Sequence, residues 1–206
     1  MSSCIETVRD TVKMWIEQTR DTYEEIDKQI SALRAKIIVF RDFAFHGDKA
    51  IEETPFFVFP EEKEALYAFL DSIETKGESP LHGSNALEAI SLALKSDWTN
   101  APDKRWHVIF VFSDKYAYPL SKRAKCANYP KDMPKDLAEL GYWWEGAEDF
   151  GGTYQSKCGR MIVFAPNMEP WTEMQAWNRY WHIPSKAGVG LDDISFGEFL
   201  GIIEDY

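Results

Sequence analysis

The residues best suited to chemistry are oxygen-bearing side chains in loops. Asp114 follows directly on an apolar run, and Glu78 and Ser79 lie in the stretch Lys76-Gly77-Glu78-Ser79-Pro80-Leu81. Carboxylate and hydroxyl oxygens are what a hard divalent cation takes, in near-octahedral geometry and with some waters retained. Each residue also has an ordinary reading. An Asp after a strand is a common turn or cap residue, Ser79-Pro80 a common turn pair, and Glu78 a solvated loop carboxylate. His46, His82, His107 and His182 share no metal-ligand spacing, and His107, inside an apolar run, reads as strand packing.

Enzyme signatures do not emerge. The chain has no Gly-x-Ser-x-Gly elbow, phosphate-binding Walker loop, His-Glu-x-x-His or dinucleotide fingerprint. Gly188-Val189-Gly190 lacks the later glycine of that fingerprint. Cys126 or Cys158 with a histidine would make a nucleophilic pair only if folding brought them together, which spacing does not predict. The expectation is a binding module with no catalytic residue, and a hydrolase is the less favoured alternative.

The elements that position these residues follow from periodicity. Ser3 with Glu6 forms a capping box, and Ile5, Val8, Val12, Ile16, Tyr23, Ile26, Ile30 and Leu33 recur near a 3.6-residue period. They predict one long amphipathic helix, breakable near Thr22, that covers a sheet. The sheet is read from unbroken apolar runs: residues 36–45, 106–112 and 160–165. Such runs are strands buried on both faces, as in a parallel sheet between helices. Phe56-Phe57-Val58-Phe59, fenced by Pro55 and Pro60, is an edge strand. Residues 61–73, 84–95, 135–145, 169–180 and 195–205 are predicted helices, and Trp181-His182-Ile183-Pro184 is a short extended piece. Residues 116–158, rich in proline and glycine, form a loop-rich insertion within a single domain spanning 1–206.

Taken in order, several of these stretches resemble the von Willebrand A domain. Met1-Ser2-Ser3-Cys4-Ile5-Glu6-Thr7-Val8-Arg9-Asp10 is similar to the helix that follows the family's Asp-x-Ser-x-Ser-Met motif. Ile38-Val39-Phe40-Arg41-Asp42 is similar to its second strand. Lys76-Gly77-Glu78-Ser79-Pro80-Leu81 with Ala86-Leu87-Glu88-Ala89-Ile90 resembles the loop and helix that supply a second metal contact. Val108-Ile109-Phe110-Val111-Phe112-Ser113-Asp114 resembles the strand whose final Asp is a metal-loop carboxylate. The likeness covers residues 1–118; beyond, Phe164-Ala165-Pro166 and Gly188-Val189-Gly190-Leu191 are similar to bacterial members.

The resemblance implies a three-layer, doubly wound, mostly parallel α/β sheet with helices on both faces, as in Rossmann-like folds. It implies a metal-ion-dependent adhesion site at the carboxyl rim of that sheet, holding Mg²⁺ (or Mn²⁺ or Ca²⁺) and accepting a carboxylate from a partner protein. Asp114 is the implied ligand. Ser79 stands in for the usual Thr, with Glu78 its rival, while Leu81 falls where some relatives carry Glu. A metal-free interaction domain with a degenerate site is the alternative. Similar bacterial domains occur in stress-response and tellurite-resistance systems, which is context from the family alone.

The family's first metal motif is expected upstream of Met1, so the central first strand is expected to be absent from this chain. Its absence would orphan two rows of backbone groups, at about 1–3 kcal/mol for each one buried unpaired. A longer chain, direct closure of the two flanking strands, or a strand donated by a partner would each answer this. A longer chain is the expected explanation, and direct closure is the expected geometry for this chain as it stands.

Composition agrees with a folded protein: 45% of residues are hydrophobic and 15% aromatic. The net charge of −11 argues against nucleic-acid binding, which needs cations on phosphates. No run reaches the roughly 20 apolar residues that span a bilayer. The three cysteines fit no disulfide framework, and the start has no secretory pattern, so a cytoplasmic setting is expected. The aromatics Tyr142, Trp143, Trp144, Tyr154, Trp171, Trp177, Tyr180 and Trp181 read as core, with a partner surface as the alternative.

Overall fold

The computed structural model describes residues 2–25, 30, 32–74, 83–99, 106–122, 125–147, 150–184 and 201. Within them the chain is a mixed α/β protein with five α-helices and small, mostly parallel sheets. Helix α1 spans Ser2–Glu25. Strands β1 (Leu33–Ala35) and β2 (Ile38–Phe40) follow, then α2 (Phe43–His46), β3 (Ile51–Glu53), β4 (Phe57–Phe59) and α3 (Lys63–Ser72). Next come β5 (Gly83–Ser84), α4 (Ala86–Leu94), β6 (His107–Phe112) and β7 (Tyr116–Ala117). Helix α5 (Leu137–Glu145), β8 (Gly159–Ala165) and β9 (Tyr180–Pro184) complete the order.

The apolar runs form the centre. β6, β8 and β9 make a three-stranded parallel sheet, with Ile109 opposite Met161 and Met161 opposite Tyr180. All seven residues of β8 are buried, which is why residues 161–165 are apolar without alternation. Its two faces carry different clusters. Ile109, Val111, Met161, Val163 and Ala165 join Leu87, Ile90 and Leu94 of α4 and Leu140, Trp143 and Trp144 of α5. Ile162 and Phe164 instead meet Trp15 of α1, with Val8, Val108, Phe110 and Phe112 alongside. The Trp15 ring lies 5.5 Å from Phe110 and 5.9 Å from Phe164.

Helix α1 is clasped to α3 in an antiparallel sense. Glu17 pairs with Lys63 and accepts from the Tyr67 hydroxyl at 2.9 Å, Lys13 reaches Asp71 at 2.6 Å, and Arg9 donates to the Ile73 carbonyl. The Lys63 ammonium holds the Glu17 carboxyl below its ordinary range, although partial burial opposes it. This antiparallel run puts the amino-terminal half of α1 beside the end of α3. Arg41, just past β2, also reaches that end, donating to the Glu74 carbonyl at 3.3 Å.

Several sequence expectations need correction. Leu33 belongs to strand β1, where it pairs with Phe59, and the helix ends by Glu25 within the described residues. Apolar spacing of three or four does not separate a continuing helical stripe from the first residue of a strand. The predicted strand 36–45 stops at Phe40, because the Asp42 carboxylate accepts from the Ala44 amide at 2.8 Å and caps α2. Strand β3 was not foreseen, since Glu52 and Glu53 look like loop. Their charges are matched by Arg41 and Lys36 across the ladder. The predicted helix 169–180 is only a 3₁₀ turn, Glu173–Ala176. Trp171 and Met174 are fully buried three residues apart, a single 3₁₀ repeat, and the chain then turns through Arg179 into β9. The helix predicted for residues 195–205 falls almost wholly outside the described residues.

Direct closure of the flanking strands is also not what forms. β2 pairs with β3 and β6 with β8, and among the described residues β2 and β6 do not pair with each other. The segment β5 with Asn85 instead links the end of β2 to β7. The Asn85 amide donates to the Arg41 carbonyl at 2.9 Å, and the Tyr118 amide to the Ser84 carbonyl at 2.9 Å. Among the described residues no helix is long and apolar enough to cross a membrane.

Candidate functional site

The carboxyl ends of parallel strands are where loops of an open α/β protein converge. Here β6 of the parallel sheet ends at Phe112, the short segments β5 and β7 that follow α3 and β6 pair in parallel, and Asn85 just past β5 bonds to Arg41 just past β2. Gly83 lies opposite Tyr116 and Ser84 opposite Ala117. Glycine is required at position 83: a Cβ there would run into the rings of Tyr118 and Tyr116. Those rings meet edge to face with centroids 5.4 Å apart.

Asp114 lies between β6 and β7, two residues before the Tyr116–Gly83 pair. Its turn is built by Ser113, whose amide donates to the Phe164 carbonyl at 2.8 Å. The Ser113 hydroxyl donates to the Lys115 carbonyl at 3.0 Å and accepts from the Lys115 amide at 3.3 Å. Asp114 itself is half-buried and makes no hydrogen bond or ion pair to another described residue. A carboxylate that is accessible and unclaimed by the fold suits a hard cation as one ligand. The other implied ligands, Ser79 and Glu78, lie outside the described residues, as do Leu81 and His82. Among the described residues no group of three His, Cys, Asp or Glu side chains is gathered to hold a metal.

Past the ends of β2 and β7 the fold assembles a polar cluster that sequence reasoning did not single out. Asp42, at 2% exposure, accepts from the Ala44 amide with one oxygen and from the Tyr118 hydroxyl with the other, at 3.0 Å. Asn85 is buried at the start of α4. Its Oδ1 accepts from the Phe43 amide at 2.9 Å, and its Nδ2 donates to Glu88 Oε1 at 2.8 Å. The same Glu88 oxygen accepts from the Tyr129 hydroxyl at 2.9 Å. Burial pushes the Glu88 carboxyl above its usual range; the bonds from Tyr129 and Asn85 pull the other way. One sequence signal existed, because Asn85-x-x-Glu88 has the form of a capping box. The pattern is used differently here. Asn85 does not cap its own helix but ties α4 to α2.

The other candidates have structural places. The His107 ring is buried, stacked 4.8 Å from Trp98, with Nδ1 accepting from the Gln155 amide and Nε2 facing the Thr99 carbonyl. His46 borders Asp42 through the backbone of that residue, and His182 faces the Ala165 carbonyl. Cys126 and Cys158 are free thiols. Trp143, Trp144, Tyr154, Trp171 and Tyr180 are core, while Tyr142 is exposed. No family model, no curated protein and no solved structure matches this chain. The class that sequence and structure establish together is a mixed α/β protein.

Proposed function

We propose that the chain is a von Willebrand A-type interaction module that binds a partner protein through the carboxyl rim of its sheet, with a divalent cation at Asp114. The observation that supports this most is the unclaimed Asp114 carboxylate at the end of β6, beside the β5–β7 pair. Distinct apolar clusters on the two faces of β6–β8–β9, one with α1 and one with α4 and α5, favour the three-layer, doubly wound arrangement that such a rim needs. Asp114 would hold the ion together with Ser79 or Glu78. A bound Mg²⁺ would supply positive charge for a partner's carboxylate in a protein whose own charge is −11.

A second reading, a metal-free interaction domain, has its own support. The carboxylates of Asp42 and Glu88 near the rim are engaged by the fold through Tyr118, Ala44, Asn85 and Tyr129. Calorimetric titration with Mg²⁺ and Mn²⁺ separates the two. The expected result is a binding heat for the native chain that disappears in Asp114→Ala. Equal heats for both proteins, or none for either, would leave the metal-free reading in possession.

A further inference from the structure

We infer that residues 126–130 form a proton-controlled strap over the start of α4, seated on Glu88 through Tyr129 and loosened when the buried Glu88 side chain has to carry a charge. The strap is held by side chains. Tyr129 reaches Glu88 Oε1 at 2.9 Å, and its ring lies 5.3 Å from that of Phe43. The Asn128 amide group donates to the Gly47 carbonyl at 3.1 Å. Within the strap, the Tyr129 amide closes a turn onto the Cys126 carbonyl at 3.2 Å. It has no strand ladder to fall back on, since residues 126–130 lie in turns and irregular chain.

The carboxyl beneath it is poorly placed to be charged. Glu88 is 1% exposed, Oε1 carries both side-chain hydrogen bonds, and Oε2 is buried with no partner among the described residues. No lysine, arginine or histidine among the described residues pairs with it. The neighbouring charges are engaged elsewhere. Arg41 pairs with Glu52, Asp42 takes Ala44 and Tyr118, and Lys95 donates to the carbonyls of Lys131 and Asp132. His46 contacts the backbone of Asp42 and the Phe45 ring. On α5, Glu139 accepts from the Lys135 amide and Glu145 faces Asn178 and Arg179. An anion there keeps two donors on one oxygen and none on the other, burial outweighs those two bonds, and opening the strap rehydrates the charge.

The sign follows from linkage. Burial raises the Glu88 carboxyl in the closed state above its value in the open, hydrated state. Closure therefore takes up a proton. It is strongest below the ordinary carboxylate range and weakens as pH rises toward the closed-state value.

Hydrogen exchange read by mass spectrometry tests this on the full chain, with labelling times scaled to the intrinsic rate at each pH. Between about pH 5 and about pH 8, protection of the Tyr129 amide, read in peptides covering 126–129, is expected to fall by up to roughly tenfold per unit across the titration. The amides of β8 should hold steady. In Glu88→Gln, which stays neutral, the pH dependence of the strap should vanish. In Tyr129→Phe, protection of the strap should drop already at the lower pH. Flat protection in the native chain, a native slope in Glu88→Gln, or native protection in Tyr129→Phe would overturn the inference. If Glu88→Gln fails to fold, the native profile and Tyr129→Phe still decide.

Discussion

Replacing Trp15 with alanine is expected to destabilise the protein by about 3–5 kcal/mol, a large share of the stability of an ordinary domain. Trp15 is 4% exposed and is the side chain through which α1 meets the sheet. It touches two strands at once, Phe110 of β6 and Phe164 of β8. Its loss removes a large buried ring, and the stacked aromatics beneath cannot close the gap. Phe112 and Phe164 are themselves held 5.0 Å apart, nearly parallel. The neighbouring Met14, an exposed residue of the same helix, is the control, and Met14→Ala should lie within about 0.5 kcal/mol of the native chain. Urea unfolding with an unchanged slope is the measurement. A cost for Trp15→Ala as small as that for Met14→Ala would show that α1 is not packed on this face.

The second large effect is at the rim. Asp42→Ala should cost about 3 kcal/mol, from a lost helix cap and a lost hydrogen bond to a charged acceptor. Both partners of Asp42, the Ala44 amide and the Tyr118 hydroxyl, would be left without it. Tyr118→Phe removes only the hydroxyl and should cost about 1 kcal/mol. Because the two side chains touch, the double variant should be less destabilised than the sum of the singles. Strict additivity would mean that the Asp42–Tyr118 bond does not tie β7 to the end of β2.

Why the sequence disclosed some of this and hid the rest is a matter of range. Residues 107–112 and 159–165 were legible because both faces of these strands are at least partly covered, so 108–112 and 161–165 are apolar without interruption. Helices α3 and α4 were legible from apolar residues at helical spacing, as with Leu66 and Leu70. Asp114 was visible because it directly follows a strand. The antiparallel ladders were not. The pairing of Leu33 with Phe59 joins residues 26 apart, and nothing local marks either as a partner. The polar cluster was hidden for the same reason. Asp42 meets Tyr118 across 76 residues, and Glu88 meets Tyr129 across 41. A lone carboxylate in sequence looks the same whether it will be solvated or buried. Only the fold supplies Tyr118 and Tyr129, whereas Asn85 stands three residues before Glu88 in the chain.

The most direct test of the rim as a cation-dependent site is paramagnetic broadening by Mn²⁺ in the amide spectrum of the full chain. A cation held at Asp114 predicts loss of signal at residues 113–115 and 83–85, reversed by excess Mg²⁺. The opposite end of the same sheet, at His107 and Gly159, should stay sharp. Broadening centred on that opposite end, or spectra untouched around Asp114 at saturating Mn²⁺, would contradict it.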